Sequence, residues 1–246
     1  MFKPCLLIPA YNHETALVAL MDELRPLGLP CVLVDDGSEP VSARVLDEIA
    51  GREAWVTLVR HAQNQGKGAA VSTGVREAAA LGYTHALQLD ADGQHDPTAI
   101  PRFLEAAAQA PDALVCGAPV FDDSVPKARL WGRLLTNVWI WINTLSFAIK
   151  DGLCGFRVYP LAPMLRLFER VRLGQRMDFD PEVAVRLSWA GVKTVSLPVS
   201  VRYPLDGKSH FRMGADNWLI SLAHTKLFLG MLWRLPRLLW RKARRS

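Results

Sequence analysis

The sequence predicts an α/β fold built on a mostly parallel central sheet, and three observations carry that prediction. Short apolar runs recur at residues 5–8, 31–34, 55–59, 86–89 and 113–116. Helical stretches separate them, the alternation expected of strand–helix–strand units. Polar motifs follow four of the runs directly: Tyr11-Asn12, Asp35-Asp36, Asn64 to Gly68, and Asp90 to Gln94. Parallel sheets bind ligands beyond the carboxyl ends of their strands, so these motifs describe one functional edge.

Each element has a local reason. Residues 5–8 (CLLI) are an unbroken apolar run, as a strand covered on both faces requires. Pro9 to Asn12 is a loop, and 13–24 reads as a helix. Residues 31–34 form a second strand, and Ser38 is placed to cap a helix over 41–50. Residues 55–59 are a third strand. Gly66 and Gly68 punctuate the turn at 64–68, and an Ala-rich helix then reaches Leu81. Residues 86–89 are a fourth strand, 101–110 a helix, and 113–116 a fifth strand.

The second half is less regular. A long helix rich in Trp, Leu and Ile is expected over 129–149, where Trp131, Trp139 and Trp141 read as packing residues. Residues 151–157 form a glycine-flanked loop feeding a strand at 158–159. A helix starts within 177–182, with Pro181 in its first turn, where proline is well tolerated. Residues 192–201 are a strand pair or one extended run around Pro198, and 202–212 are a basic loop.

The totals set bounds. The chain has 246 residues, 50% hydrophobic and 22% charged, a globular composition large enough for one α/β domain. We divide it into a domain over 1–212 and a C-terminal segment over 213–246. The cysteines at 5, 31, 116 and 154 show no paired spacing and no zinc pattern, and Cys5, Cys31 and Cys116, in apolar runs, read as buried thiols of a reducing compartment. The apolar run near the N-terminus is too brief for a signal peptide, and no long uncharged stretch marks a transmembrane helix. Net charge is +5, but Arg234, Arg237, Arg241, Lys242, Arg244 and Arg245 supply the excess, leaving the remainder near neutral. Such a tail suits an anionic surface.

The chemistry centres on residues 86–97, ALQLDADGQHDP. Asp90 and Asp92 are two apart, so on an extended segment both carboxylates point the same way. Two such groups repel unless a cation lies between them. Hard oxygen donors suit Mg²⁺ or Mn²⁺, which keep waters and add substrate phosphates to their shell. The competing reading is a solvated acidic turn, since Asp-Gly and Asp-Pro form turns unaided. His61, His85 and His95 read as structural. Lys67 in QGKG lacks the spacing of a nucleotide-triphosphate loop.

These pieces, in this order, resemble glycosyltransferase family 2, the inverting enzymes of GT-A fold, and within it the dolichyl- or polyprenyl-phosphate sugar transferases. They are Ile8-Pro-Ala-Tyr-Asn12, Val34-Asp-Asp-Gly-Ser38, Asn64-Gln-Gly-Lys-Gly68, Asp90-Ala-Asp-Gly-Gln94, Gly155-Phe-Arg157 and Gly207-Lys-Ser209. His13 is inserted where the family often has Asn-Glu directly, and Pro181 interrupts an acid-x-acid pair.

The resemblance implies a nucleotide-sugar donor. Pro9, Tyr11, Asn12 and Glu14 would line the nucleotide pocket. Asp36, with Asp35 as a lesser partner, would contact the base or ribose. Lys67 and Ala91 would lie close to the donor, and Asp90, Asp92 and Gln94 would hold the metal. Arg157 would shape the acceptor side, while Arg202 and Lys208 would neutralise phosphates. Either Asp180 or Glu182 would be the base, although acids at a helix N-terminus also have a purely structural use.

Two rival functions share parts of this pattern. A nucleotidyltransferase would carry a basic Gly-rich loop after the first strand, where this chain has Pro-Ala-Tyr-Asn. A non-catalytic lipid-binding relative would be expected to lack one of the paired aspartates. Nucleic acid would explain the tail but not the acidic edge.

Taken as a helix at about 100° per residue, Arg234, Arg237, Arg241, Arg244 and Arg245 share one sector, with Leu232, Leu235, Leu239 and Trp240 mostly across from them. That predicts an amphipathic segment lying on an anionic membrane, peripherally and on the cytoplasmic face, near a lipid-linked acceptor. Pro236 would kink the helix or begin a new one.

Overall fold

Cys5, Leu6, Leu7 and Ile8 have no exposed surface, so the first apolar run is covered on both faces. It forms the centre of β1 (Pro4–Ala10) in the computed structural model, which describes residues 1–121, 125, 127–201 and 213–244. β2 (Cys31–Asp35), β3 (Val56–Arg60) and β4 (His85–Gln88) follow, and β1 pairs in parallel with β2 and β4. The connecting helices are α1 (Glu14–Leu24), α2 (Pro40–Arg52) and α3 (Lys67–Ala80). Gly74 lets α3 lie directly on the sheet, because a Cβ there would collide with Leu7.

α4 (Ile100–Gln109) leads into β5 (Leu114–Phe121), and α5 spans Lys127–Thr144. β6 (Arg157–Pro160) then enters the sheet between β4 and β5, antiparallel to both. α6 (Leu161–Arg170) and α7 (Phe179–Ala190) precede β7 (Thr194–Val201), which pairs in parallel with β5. The sheet order is β3-β2-β1-β4-β6-β5-β7. Chain order reverses between β1 and β4, and a crevice opens at the carboxyl ends of strands at such a point. All of Asn12, Asp36, Asp90 and Asp92 follow β1, β2 or β4.

Several local expectations need correction. Ser38 does not cap α2: the cap residue is Glu39, Pro40 begins the helix, and Ser38 Oγ accepts from the Asn12 N–H at 3.2 Å. Proline at the first helical position supplies the start without a side-chain cap. The helix expected over 129–149 ends at Thr144, after which Leu145 adopts a positive φ of 52°. Of the two readings of residues 192–201, the single extended run holds, as one strand. α6 was not anticipated.

α8 (Met213–Ala243) continues through Pro236 without ending. Leu227, Met231 and Leu238 are buried in the same apolar cluster as Val71 of α3 and Val183 of α7. The basic sector is not a free face. Arg234 stacks over the Trp189 ring at 4.7 Å, and Arg241 donates to the carbonyls of Ser188 and Trp189 at the end of α7. Cations there complement the negative end of that helix. The apolar residues Leu232, Leu239 and Trp240 face outward instead. Arg245 lies outside the described residues. No described helix is long and apolar enough to cross a membrane.

Candidate active site

The site begins where α3 begins. Lys67 is its first residue, and its ammonium lies 2.8 Å from Asp90 Oδ1 and 3.0 Å from Asp180 Oδ2. One cation thus joins the acidic motif after β4 to the start of α7. Burial opposes the charge on Lys67, but Asp180 and Asp90 outweigh it, and the ammonium pKa is raised. Burial likewise opposes the Asp90 charge, yet Lys67 holds its carboxyl below the ordinary range.

Asp92 is the complement of Asp90. Burial first, and the Asp90 charge second, push it up to about 6. The two carboxylates therefore crowd each other, which a divalent cation between them would relieve. Among the described residues no group of three or more His, Cys, Asp or Glu is placed to hold a metal ion. The donor set of Asp90, Asp92 and Gln94 fits Mg²⁺ or Mn²⁺ with ligand oxygens and water completing the shell. Gln94 is tied to the motif through its N–H, which donates to Asp92 Oδ1 at 3.1 Å. Ala91 between the aspartates is buried.

The surrounding loops lock one another. Asn12 has a positive φ of 53°, and its Oδ1 accepts from the Glu39 N–H at 2.9 Å. Glu14 bonds Ser42 Oγ across the same gap. Asp35 is fully buried, bonded to the Ser38 N–H and to Arg60. Pro9 and Tyr11 are partly exposed at the end of β1.

Asp36 faces the loop that follows β3. Its Oδ1 meets His61 Nδ1 at 2.7 Å and the Gln65 N–H at 2.9 Å, and its Oδ2 accepts from Asn64 Nδ2 and the Gly66 N–H. A carboxylate has about four acceptor positions, and these four contacts occupy them within the chain. Asp36 holds the loop that delivers Lys67. His61, bonded also to Thr73 Oγ1 at 2.9 Å, is its support.

Arg157 also faces inward. It is fully buried and donates to the carbonyls of Cys154, Gly152 and Asp180, each at 2.7 Å. It fixes the 152–154 loop and the start of α7. The candidate bases separate clearly. Glu182 is engaged at both oxygens, by the Gly174 N–H and by Arg186. Asp180 is buried, and its Oδ1 has no hydrogen-bond partner among the described residues, with Arg157 Nη1 3.9 Å away. Arg202 and Lys208 lie outside the described residues.

Two supports of Asp90 stand out: Gln88, which was not singled out in the sequence, and Gly155 of the Gly155-Phe-Arg157 motif. Gln88 is fully buried, accepts from Tyr159 Oη at 3.1 Å, and directs Nε2 toward Asp90 Oδ1 at 3.5 Å. It shares a strand face with Asp90 at spacing two, a signal present in the sequence. Gly155 backs Asp90 more closely: a Cβ there would stand 2.5 Å from Asp90 Oδ2. Gly155→Ala should displace that carboxylate and cut turnover by about 10²-fold, the scale of losing a catalytic group's placement. Circular dichroism should show a retained fold. Unchanged turnover would mean that the Asp90 position is not needed.

A sheet with its polar motifs at a strand-order reversal, a paired-aspartate motif after β4, and a candidate base on α7 define a glycosyltransferase of GT-A-like fold. The chain belongs to glycosyl transferase family 2, whose profile matches residues 5–171. It is 28% identical over 204 residues to an uncharacterised protein of Methanocaldococcus jannaschii, covering 80% of this chain and 87% of that one. It is 25% identical over 183 residues to the UDP-N-acetylglucosamine–dolichyl-phosphate N-acetylglucosaminyltransferase of Methanococcus voltae, covering 68% and 73%. In fold it is similar to glucosyl-3-phosphoglycerate synthase from Mycobacterium tuberculosis, solved with Mn²⁺, UDP-glucose and phosphoglyceric acid. The TM-score is 0.67 at 15% identity, over 92% of this chain and 80% of that one.

Proposed function

We propose that the protein transfers a sugar, with inversion, from a nucleotide sugar to a lipid-linked acceptor at the cytoplasmic face of a membrane. The observation that carries this reading is the Lys67 ammonium held between Asp90 and Asp180, which sets a candidate metal ligand and a candidate base on either side of one point. The name of the Methanococcus voltae relative, which includes dolichyl phosphate, supports the lipid.

Mg²⁺ or Mn²⁺, held by Asp90, Asp92 and Gln94, would offset the negative charge that builds on the departing nucleoside diphosphate. Lys67 adds a cation beside it, and α3 points its positive end at the same place. Pro9, Tyr11, Asn12 and Glu14 frame the nucleotide side, with Ala91 beneath the donor and Asp35 and Asp36 holding the wall from behind. Arg202 and Lys208 would neutralise phosphate charge. Asp180 accepts the proton if the acceptor is a hydroxyl; a phosphate acceptor is already anionic and needs little help. Residues 213–246 keep the enzyme at the membrane, where the acceptor resides.

A panel of UDP- and GDP-sugars, each incubated with Mn²⁺ and then with polyprenyl phosphate, tests this. Slow donor hydrolysis and glycosylated lipid are expected with at least one donor. Pyrophosphate release from a nucleoside triphosphate and a sugar phosphate, with no sugar transfer, would establish a nucleotidyltransferase instead.

A further inference from the structure

We infer that α5 and α8 together form a membrane-docking platform that inserts aromatic and aliphatic side chains into the interface of an anionic bilayer. This rests on the membrane reading above, but it assigns the contact to a different surface from the basic tail alone.

The two helices lie side by side and run the same way. Trp139 of α5 packs on His224 and Phe228 of α8. One turn further along α5, the Asn143 carbonyl accepts from Trp189 Nε1, and Trp189 meets Gly230 and Arg234 of α8. Trp189 of α7 thus bridges the turn of each helix that follows the direct contact, which sets the two helices in the same direction.

Each helix leaves an apolar stripe outside. On α5 the exposed residues Trp131, Leu134, Leu135, Val138 and Ile142 fall within an arc of about 100°. On α8 the stripe of Trp218, Leu222, Leu229, Trp233 and Trp240 occupies about 60°. With the α5–α8 contact and the core-facing residues Ile140, Leu227 and Met231 fixing both rotations, the two stripes point to the same side, away from the sheet. Trp131 is 71% exposed, Trp218 70%, Trp233 86% and Trp240 55%. Four exposed indoles on one face exceed the scatter of single apolar residues normal on a protein surface.

Charge selects the occupant. α5 contains no acidic residue, and the single acid of α8, Asp216, is buried. Lys226, Arg237 and Arg244 are exposed along the α8 edge of the stripe, with the Arg244 guanidinium 3.8 Å over the Trp240 ring. A second copy would set these cations against their own kind, whereas anionic head groups complement them. Trp beside basic residues on an amphipathic helix is the composition of a segment lying in the interface plane. α8, with 31 residues, extends about 46 Å along that plane.

The test uses the full chain with phosphatidylcholine vesicles carrying phosphatidylglycerol. Co-sedimentation and quenching of Trp fluorescence by brominated lipid should both report binding. Trp131→Gln with Leu135→Gln on α5, and Trp233→Gln with Trp240→Gln on α8, should each lower partitioning at least tenfold. A substantial bound fraction should survive high salt, because insertion of apolar groups is not screened. Binding that salt abolishes and the α5 pair leaves unchanged would overturn the platform in favour of the tail alone. A dimer in sedimentation that the α5 pair dissociates would assign the face to a second copy. Donor hydrolysis, measured on the same samples, is expected to be unaffected. Failure of the unsubstituted chain to bind these vesicles, with hydrolysis intact, refutes the platform and leaves the transferase reading standing.

Discussion

Asp92→Ala is expected to remove metal-dependent turnover by about 10³-fold or more, several kcal/mol of charge stabilisation at the departing diphosphate. The reason lies in the asymmetry of the pair. Asp90 already has a cation in Lys67 at 2.8 Å, while Asp92, pushed up to about 6 by burial and by Asp90, does not share that contact. Removing Asp92 relieves the crowding, so the fold should be retained or slightly stabilised. Removing Asp90 instead would leave Lys67 with Asp180 alone and disturb both ends of the site. The measurement is donor hydrolysis against Mn²⁺ concentration, with thermal unfolding as the control. Full turnover by Asp92→Ala in the presence of a chelator would sink the metal assignment.

The strands β1, β2 and β4 were legible because a strand buried on both faces is usually a near-continuous apolar run. The functional edge was legible for a related reason: polar residues directly after such runs have nowhere to lie but the carboxyl ends. β6 was harder to place. Its position between β4 and β5 depends on pairing partners far along the chain, and its four residues include Arg157 and Pro160. The inward turn of Arg157 was invisible because its three partners are backbone carbonyls, which leave no mark in side-chain identity.

The helices α5 and α8 show a different limit. Helical periodicity reports that one face is apolar, not whether that face turns in or out. Trp131, Leu134, Leu135, Val138 and Ile142 have the spacing of a core stripe, yet the structure exposes them. The C-terminal arginines misled in the opposite sense. Their shared sector was real, but Arg234 and Arg241 spend it on α7. A cationic face at the end of a neighbouring helix and a cationic face toward lipid have the same sequence.

The choice between candidate bases is where geometry adds most to sequence. Glu182 has Gly174 N–H on one oxygen and Arg186 on the other, so Glu182→Gln should act through packing, with modest loss of kcat. Asp180 differs: Lys67 stands 3.0 Å from Oδ2, and Oδ1 has no described hydrogen-bond partner. A buried carboxylate oxygen without a donor is costly unless a proton or a ligand hydroxyl meets it. With a hydroxyl acceptor, Asp180→Asn should lower kcat by about 10²–10⁴-fold, the usual range for a general base, while donor binding changes little. The amide retains an oxygen for Lys67, so the ion-pair geometry has a close substitute and the fold should hold. With a phosphate acceptor there is no proton to remove, and the same substitution should cost much less. Comparing Asp180→Asn on polyprenyl phosphate and on a lipid alcohol therefore reports the acceptor class as well as the base. Equal and small losses on both, with proven transfer to the alcohol, would refute Asp180 as the group that takes the proton.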